Sequence, residues 1–319
     1  METKKWGLWV LTAFVIGNMV GGGVFMLPAN LAQVSGPMGS TLAWSITGLG
    51  VFMIALVFGN LAIRKPELKA GPQSYAQAMF PSKKLVKLQD IVWHGDIGLL
   101  TEYATASVII SFAGYLSTFF PVLQSKQILF SINGFSLELG KGLTFLVCSL
   151  MLWGIQYILS QNIDRAGNMN LLATIAKIIG FTMFIVITLF IFNASNFGDG
   201  QTFMNEAGQS ISLGGQINSA AIATLWAFIG IESAVMLSNR AKSQRDVKKA
   251  TIFGLIIALL IYMSITLLTM GALPQDALKE SQKPLVDALN LAIGNKGAYI
   301  MDFTRSYIFI WIYSWLDCC

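Results

Sequence analysis

A run without any charged residue or histidine extends from Trp6 to Ile63 and limits what this chain can fold into. A helix of about 20 apolar residues crosses a hydrocarbon core about 30 Å thick, so this run is long enough for two crossings. The residues between the crossings, 33–40, include the Gly, Pro and Ser that reverse a chain. Only 12% of all residues are charged and 55% are hydrophobic. This balance excludes an ordinary soluble enzyme and predicts an all-α membrane protein.

The apolar runs predict a single transmembrane domain over 1–319. Asp302 and Arg305 interrupt the last of these runs, so that run is a doubtful eighth span beside seven credible ones. The predicted spans are 7–32, 41–63, 91–120, 143–160, 170–193, 217–238, 250–272 and the doubtful 298–316.

The basic residues predict the orientation of these spans. With the amino terminus in the cytoplasm, fourteen Lys and Arg lie in cytoplasmic segments and five in external ones, and this asymmetry favours that orientation. The external five are Lys126, Lys141, Lys279, Lys283 and Lys296, and only Lys177 and Arg305 fall within spans. We therefore expect a multi-pass protein of the cell membrane, surrounded by the lipid bilayer.

Several other function classes are not supported by the residues. The net charge of +5 comes from short connections between apolar runs, which does not indicate a nucleic-acid partner. Cys148, Cys318 and Cys319 lack the spacing of a metal site, so no metal and no cofactor is predicted. The sequence shows no nucleophile with a base and no paired intramembrane acids, and we expect no enzyme activity.

The first span contains the consecutive glycines Gly21, Gly22 and Gly23, and each glycine inside a helix costs about 0.5–1 kcal/mol relative to alanine. One interpretation is a packing face, because Gly17 and Gly21 form a GxxxG pair. The other interpretation is a helix unwound within the membrane, whose freed N–H groups bind a carboxylate. Packing does not require Gly22 or Gly23.

The sixth span has a second interruption at Gly230 and an acid at Glu232. A carboxylate in a membrane helix is costly, so Glu232 either faces an ion or substrate path or serves as a buried hydrogen-bond acceptor between helices. Glycine-broken spans five helices apart are the arrangement expected of two inverted repeats around a central site. The spacing of the two breaks indicates a transporter.

Three segments resemble the amino acid, polyamine and organocation transporter superfamily: GNMVGGGVFMLPANLA (17–32), KPELKAGPQSYAQAMF (65–80) and ATLWAFIGIESAVMLSNRAKSQRDVKKAT (223–251). Within it the chain is most similar to the basic amino acid and polyamine antiporters of the arginine/ornithine type. The resemblance implies a five-plus-five inverted repeat of helices, alternating access, and exchange of cationic amino acids such as arginine, lysine and ornithine. Proton-coupled amino acid uptake is the alternative, and a homodimer is a further possible assembly.

The same resemblance assigns roles to residues at the two breaks. Asn18, Gly21, Gly22 and Gly23 would receive the substrate carboxylate. The backbone of Trp226, Ala227, Phe228 and Ile229 would accept from the substrate's α-ammonium group, and Trp226 would cover the substrate. Glu232 would link substrate occupancy to proton state or gating.

Two further features of the resemblance concern Lys177 and the third span. Some superfamily members place a fifth-helix lysine where sodium-coupled relatives hold sodium; the alternative for Lys177 is a side chain that reaches the membrane surface. The third span departs from the family motif, and two alignments of it disagree. They leave Asp96, Thr101 and Thr105 as candidates for side-chain selectivity.

The end of the chain also departs from the family. Members of the superfamily continue through further helices after the seventh, whereas residues 296–319 resemble none of them. We expect an aberrant tail from a premature frame change, and a product that inserts in the membrane but does not transport by itself.

Overall fold

A computed structural model describes residues 5–68, 71–79, 120–132, 135–160, 163–197, 203–204, 208–281 and 283–294. Helices dominate this part of the chain. They are α1 (Leu8–Met19), α2 (Leu27–Val34), α3 (Pro37–Arg64), α4 (Pro72–Met79), α5 (Leu139–Ser160), α6 (Ile163–Leu189), α7 (Leu213–Trp226), α8 (Ser233–Met236), α9 (Gln244–Ala272), α10 (Gln275–Glu280) and α11 (Pro284–Ile293).

Three of the described helices are long and apolar enough to cross a membrane: α3, residues 170–189 of α6, and α9, with mean hydropathies of 2.2, 2.2 and 2.5. Local sequence sets where they begin. The Ser243 side chain accepts a hydrogen bond from the N–H of Arg245 at the start of α9, and Pro37 lies in the first turn of α3. The predicted multi-span helical fold is confirmed.

The first and sixth spans are both interrupted, as predicted. In the first, α1 and α2 are separated by a 3₁₀ turn at Gly22–Phe25. In the sixth, α7 and α8 are separated by turns over residues 227–232. The third predicted span, except for its last residue Phe120, and the doubtful span 298–316 lie outside the described residues, as does the tail 296–319.

Two short antiparallel strand pairs lie between helices and were not predicted. β1 (Ile128–Ile132) pairs with β2 (Phe135–Glu138) just before α5. β3 (Phe203–Met204) pairs with β4 (Ser210–Ile211) just before α7.

Helix α9 lies at the centre of the described structure, where it packs against α1, α3 and α6. Its Tyr262 ring stacks on Trp44 of α3 with centroids 5.2 Å apart, and Phe228 meets the same two rings edge-on. The buried core is therefore built around α9, beside both helix breaks.

One end of the bundle, here called the Trp6 end, is closed by backbone pairing. The N–H of Trp6 donates to the carbonyl of Arg240 (2.7 Å), and the N–H of Lys242 donates to the carbonyl of Trp6 (2.8 Å). The Arg240 guanidinium lies 5.3 Å from the centre of the buried Trp6 ring. At the same end, Lys248 Nζ donates to Asn60 Oδ1 at 2.8 Å.

At the opposite end of the bundle, here called the Gln33 end, hydrogen bonds join the segments that connect other spans. Gln33 Nε2 donates to the carbonyl of Lys279 (3.2 Å), and the N–H of Asn193 donates to the carbonyl of Gly271 (3.0 Å). The ends of spans one, two, five, six and seven therefore alternate between the two sides of the bundle.

At the Trp6 end, where the chain passes α8, helix α4 begins. Gly71, just before it, has φ +73°, and a Cβ there would lie 3.2 Å from the Cα of Met236. Tyr75 is buried, and burial raises the pKa of its hydroxyl, whereas Met79 is exposed.

Candidate binding site at the helix breaks

The break in the first span leaves backbone donors unpaired. Helix α1 ends at Met19, and Gly21 is extended with φ −90° and ψ −163°. The 3₁₀ turn then begins at Gly22, and within the described residues the N–H groups of Gly22 and Gly23 have no acceptor. Unpaired N–H groups at the start of a helical segment favour an anionic ligand.

No described residue fills the space beside Gly21 and Gly23. A Cβ built on Gly21 or Gly23 would meet no atom of the described residues within 4 Å, so packing against that part of the chain does not require either glycine. Gly17, by contrast, is buried, and its carbonyl accepts a hydrogen bond from Lys177. Of the two interpretations of the glycine run, the structure has the unwound helix.

The break in the sixth span follows from Gly230, which has φ +106°, a conformation that L-residues rarely adopt. Helix α7 ends at Trp226, and tight turns follow in which the N–H of Ile229 donates to the carbonyl of Trp226 at 3.2 Å. Oε2 of Glu232 accepts from the N–H of Gly230 at 3.2 Å. The carboxylate therefore serves as an acceptor for the broken backbone.

The two breaks are in direct contact. Asn18 Nδ2 donates to Ser233 Oγ, and that hydroxyl donates to the carbonyl of Gly230 at 2.5 Å. A Cβ on Gly230 would lie 2.6 Å from the Cβ of Asn18. Both the φ angle and this close approach require glycine at position 230.

Tyr262 of α9 joins the two breaks through one hydroxyl, a role that the sequence analysis missed. The hydroxyl lies within hydrogen-bond distance of the carbonyl of Met19, at the first break, and 3.1 Å from the carbonyl of Ala227, at the second. Its single proton serves one carbonyl at a time. The only signal in the sequence was a phenol within an otherwise apolar stretch of the seventh span.

Lys177 of α6 lies next to the carboxyl end of α1, at the first break. Its side chain is only 1% exposed, and Nζ donates to the carbonyls of Gly17 (3.3 Å) and Val20 (3.2 Å). The alternative in which this lysine reaches the membrane surface is therefore wrong. A cation is favoured here because the carboxyl end of α1 presents unpaired carbonyl groups.

The remaining residues of the second break differ in exposure. Trp226 is 70% exposed and Ile229 is 56% exposed, whereas Phe228 is buried against Trp44 and Tyr262. Within the described residues, no hydrogen bond reaches the carbonyl of Ile229. The covering role of Trp226 stays a prediction.

The predicted selectivity residues of the third span are not among the described residues. Asp96, Thr101 and Thr105 lie outside the described residues. Among the residues that the structure does describe, no group of three or more His, Cys, Asp and Glu side chains could hold a metal ion.

Comparison with known proteins shows similarity along nearly the whole chain. Residues 7–316 match the family model described as amino acid permease. A Bacillus subtilis (strain 168) protein assigned as an arginine/ornithine antiporter is 53% identical over 301 residues, which cover 94% of this chain and 64% of that protein.

Two other relatives are more distant. The arginine/ornithine antiporter of Pseudomonas aeruginosa is 33% identical over 314 residues, which cover 94% of this chain and 59% of the relative. The arginine/agmatine antiporter of Chlamydia trachomatis serovar D is 33% identical over 303 residues, with the same two coverages. The chain thus spans 59% to 64% of the length of these three relatives.

Proposed function

Because the chain belongs to the amino acid permease family, we propose that it carries amino acids across a membrane by alternating access. We propose cationic amino acids as its substrates, with arginine or lysine exchanged for ornithine or a related diamine. The names of the three relatives, antiporters of arginine with ornithine or agmatine, support this substrate class.

The observation that carries the proposal is that each break presents backbone groups with no hydrogen-bond partner among the described residues: N–H donors at the first break and a carbonyl acceptor at the second. The N–H groups of Gly22 and Gly23 would donate to the substrate carboxylate, with Asn18 and Gly21 beside them. The space next to Gly21 and Gly23, which no described residue fills, would admit a ligand. A carboxylate binds well to such N–H groups because it is charged and accepts several hydrogen bonds.

The second break offers the complementary group. The carbonyl of Ile229 accepts no hydrogen bond from the described residues, so it could accept one from the α-ammonium group of the substrate. Trp226, exposed at the end of α7, would then cover the bound amino acid. Selection among side chains would involve Asp96, Thr101 or Thr105, which stay predictions.

Alternating access needs two rigid parts that hinge where the backbone is unwound. Gly21 and Gly230 provide those hinges, and Glu232 accepts from the backbone of the second one. We propose that Glu232 links substrate occupancy to gating through this hydrogen bond. No covalent chemistry is part of the proposal.

We also propose that lipid surrounds the chain and that its amino terminus faces the cytoplasm. Large apolar side chains are exposed along α3, α6 and α9, where lipid would cover them; they include Leu49, Met53, Leu172, Ile179, Met183 and Leu260. The amino terminus, and with it the Trp6 end, would face the cytoplasm of a bacterial cell. Formation of a homodimer stays a prediction.

The experiment is counterflow in reconstituted vesicles. Vesicles loaded with unlabelled ornithine should accumulate external labelled arginine, whereas vesicles loaded with a neutral amino acid should not. Absence of accumulation from the purified chain, with the Bacillus subtilis relative active in parallel, would refute exchange and favour the predicted non-transporting chain.

Proton-coupled uptake is the second candidate, because Lys177 is bound to the carbonyls of the first break. Protonation of this amine would then be tied to the conformation of the helix that receives the substrate. Uptake driven by a pH gradient into vesicles with no internal substrate would favour this candidate over exchange.

A further inference from the structure

Three polar side chains lie on one face of α6: Asn170, Thr174 and Lys177. Their spacing of four and three residues places them in one row along the helix. All three are buried, with at most 1% of each side chain exposed. Polar side chains within membrane segments are costly and usually face a polar cavity or path, so this row needs a physical reason.

The row runs beside α1 and ends at the first break. Thr174 Oγ1 donates to the carbonyl of Ala13 at 3.2 Å, and Lys177 Nζ donates to Gly17 and Val20 further along the same helix. Since both chains advance in the same direction, α1 and α6 are parallel, and Asn170 lies nearer the Trp6 end. At a rise of about 1.5 Å per residue, the row covers roughly 10 Å.

The burial of the Asn170 amide is not explained by its contacts. Its side chain is 0% exposed, yet neither Nδ2 nor Oδ1 has a hydrogen-bond partner within the described part of the chain. A buried amide without partners is rare, and ordered water is the usual partner of such groups. Thr174 gives its proton to Ala13, so its oxygen can still accept a hydrogen bond from a water molecule.

We propose that Asn170 and Thr174 hold ordered water, which forms a track from the Trp6 end to the amine of Lys177. Water along this track would carry protons. An N–H bond of the Lys177 ammonium breaks as a water accepts the proton, and that water passes a proton on toward the solvent. Proton transfer along the track rests on the transport proposed above. The presence of water in the track does not.

Among the described side chains, few other titratable groups face this track. Helix α1 contains none. Helix α9 contributes Tyr262, whose hydroxyl is bound to the carbonyl of Met19, and its first two turns at the Trp6 end contain Arg245, Asp246, Lys248 and Lys249. Cys148 of α5 is buried, and Asp287 of α11 accepts from Ser281. Among the described residues, Lys177 is therefore the basic group to which the row leads.

Cysteine labelling tests for the water directly. A background in which Cys148, Cys318 and Cys319 are replaced by serine would receive Asn170→Cys or Thr174→Cys. The controls are Phe181→Cys, buried on the same face beyond Lys177, and Ile175→Cys, exposed on the apolar surface of α6. The small reagent 2-aminoethyl methanethiosulfonate would be applied to open membrane fragments, because only a thiolate in contact with water reacts.

We expect positions 170 and 174 to react at least about tenfold faster than positions 175 and 181. Reaction at 170 as slow as that at 181 would overturn the proposal. This readout requires no transport, so it stays decisive if the counterflow experiment fails.

A second variant separates a water track from an isolated unsatisfied amide. Asn170→Leu fills the position with an apolar side chain of similar size. The track predicts that this change slows labelling at Thr174→Cys and weakens the pH dependence of exchange. Unchanged labelling at position 174, together with a more heat-stable protein, would show that the amide was only unsatisfied and would overturn the proposal.

Discussion

Replacing Tyr262 with phenylalanine removes one hydroxyl and keeps the ring, so it isolates the link between the seventh span and the two breaks. The ring would still stack on Trp44, whereas the carbonyls of Met19 and Ala227 would lose their common donor. Because the hydroxyl has one proton, the variant loses one hydrogen bond at any moment.

The size of the effect follows from that single bond. The Met19 carbonyl would keep the N–H of Gly21 at 2.8 Å, so among the described residues only the Ala227 carbonyl would be left without a donor. A buried carbonyl left without a partner costs about 1–3 kcal/mol. Measured hydrogen bonds between membrane helices average about 0.6 kcal/mol. We therefore expect Tyr262→Phe to lower the free energy of unfolding by about 1 kcal/mol, a fall of about fivefold in the ratio of folded to unfolded protein.

The assay is unfolding by sodium dodecyl sulfate in mixed micelles, followed by tryptophan fluorescence. The matched control is Thr266→Val, one turn further along α9. The hydroxyl of Thr266 is buried and has no hydrogen-bond partner among the described residues, so its removal leaves no acceptor unpaired. An equal loss of stability in both variants, or none in Tyr262→Phe, would refute the bridging role of the tyrosine.

Three other predictions concern the site and the topology. Gly23→Val should reduce arginine binding at least about tenfold and leave thermal stability nearly unchanged, because its side chain would lie beside N–H groups that have no acceptor among the described residues, in space that those residues leave open. Gly50→Val, also in open space but on α3, is its control, and equal binding in both variants would contradict the site. Glu232→Gln should fold normally, since an amide oxygen can still accept the same backbone hydrogen bond, and should alter the pH dependence of exchange; identical pH profiles would leave Glu232 a structural role only. In the background without natural cysteines, Ser243→Cys should label from the cytoplasm and Ser195→Cys from outside, and the reverse pattern would invert the proposed orientation.

The sequence was sufficient for the fold class and for the positions of the two breaks. Each depends on local composition: long apolar runs require helices, and glycines inside such runs mark where a helix fails. The break at Gly230 was predictable for this reason, although its contact with Asn18 was not. That contact joins residues more than two hundred positions apart, and no periodicity in either segment encodes it.

Lys177 and Phe228 show why the rest of the site could not be predicted. Whether Lys177 reached the surface or the first break depended on which face of α6 meets α1, and several rotations of an apolar helix look alike in sequence. Likewise, Phe228 is buried while its neighbour Ile229 is exposed, because the turns after Trp226 set their directions. The short strands β1 to β4 were missed since so few residues give no clear alternation.

The backbone hydrogen bonds between Trp6 and residues 240–242 connect the half-helices α1 and α8, so that the two can move as one unit. Helix α1 starts two residues after Trp6, and a 3₁₀ turn over Ser238–Arg240 connects α8 to the paired segment. The half-helices α1 and α8, the two inner arms, therefore share a backbone joint. Pulling these arms apart would break two hydrogen bonds, at a net cost of about 1–3 kcal/mol, whereas tilting them together would break neither. Motion at one hinge is therefore coupled to motion at the other through the backbone hydrogen bonds at Trp6.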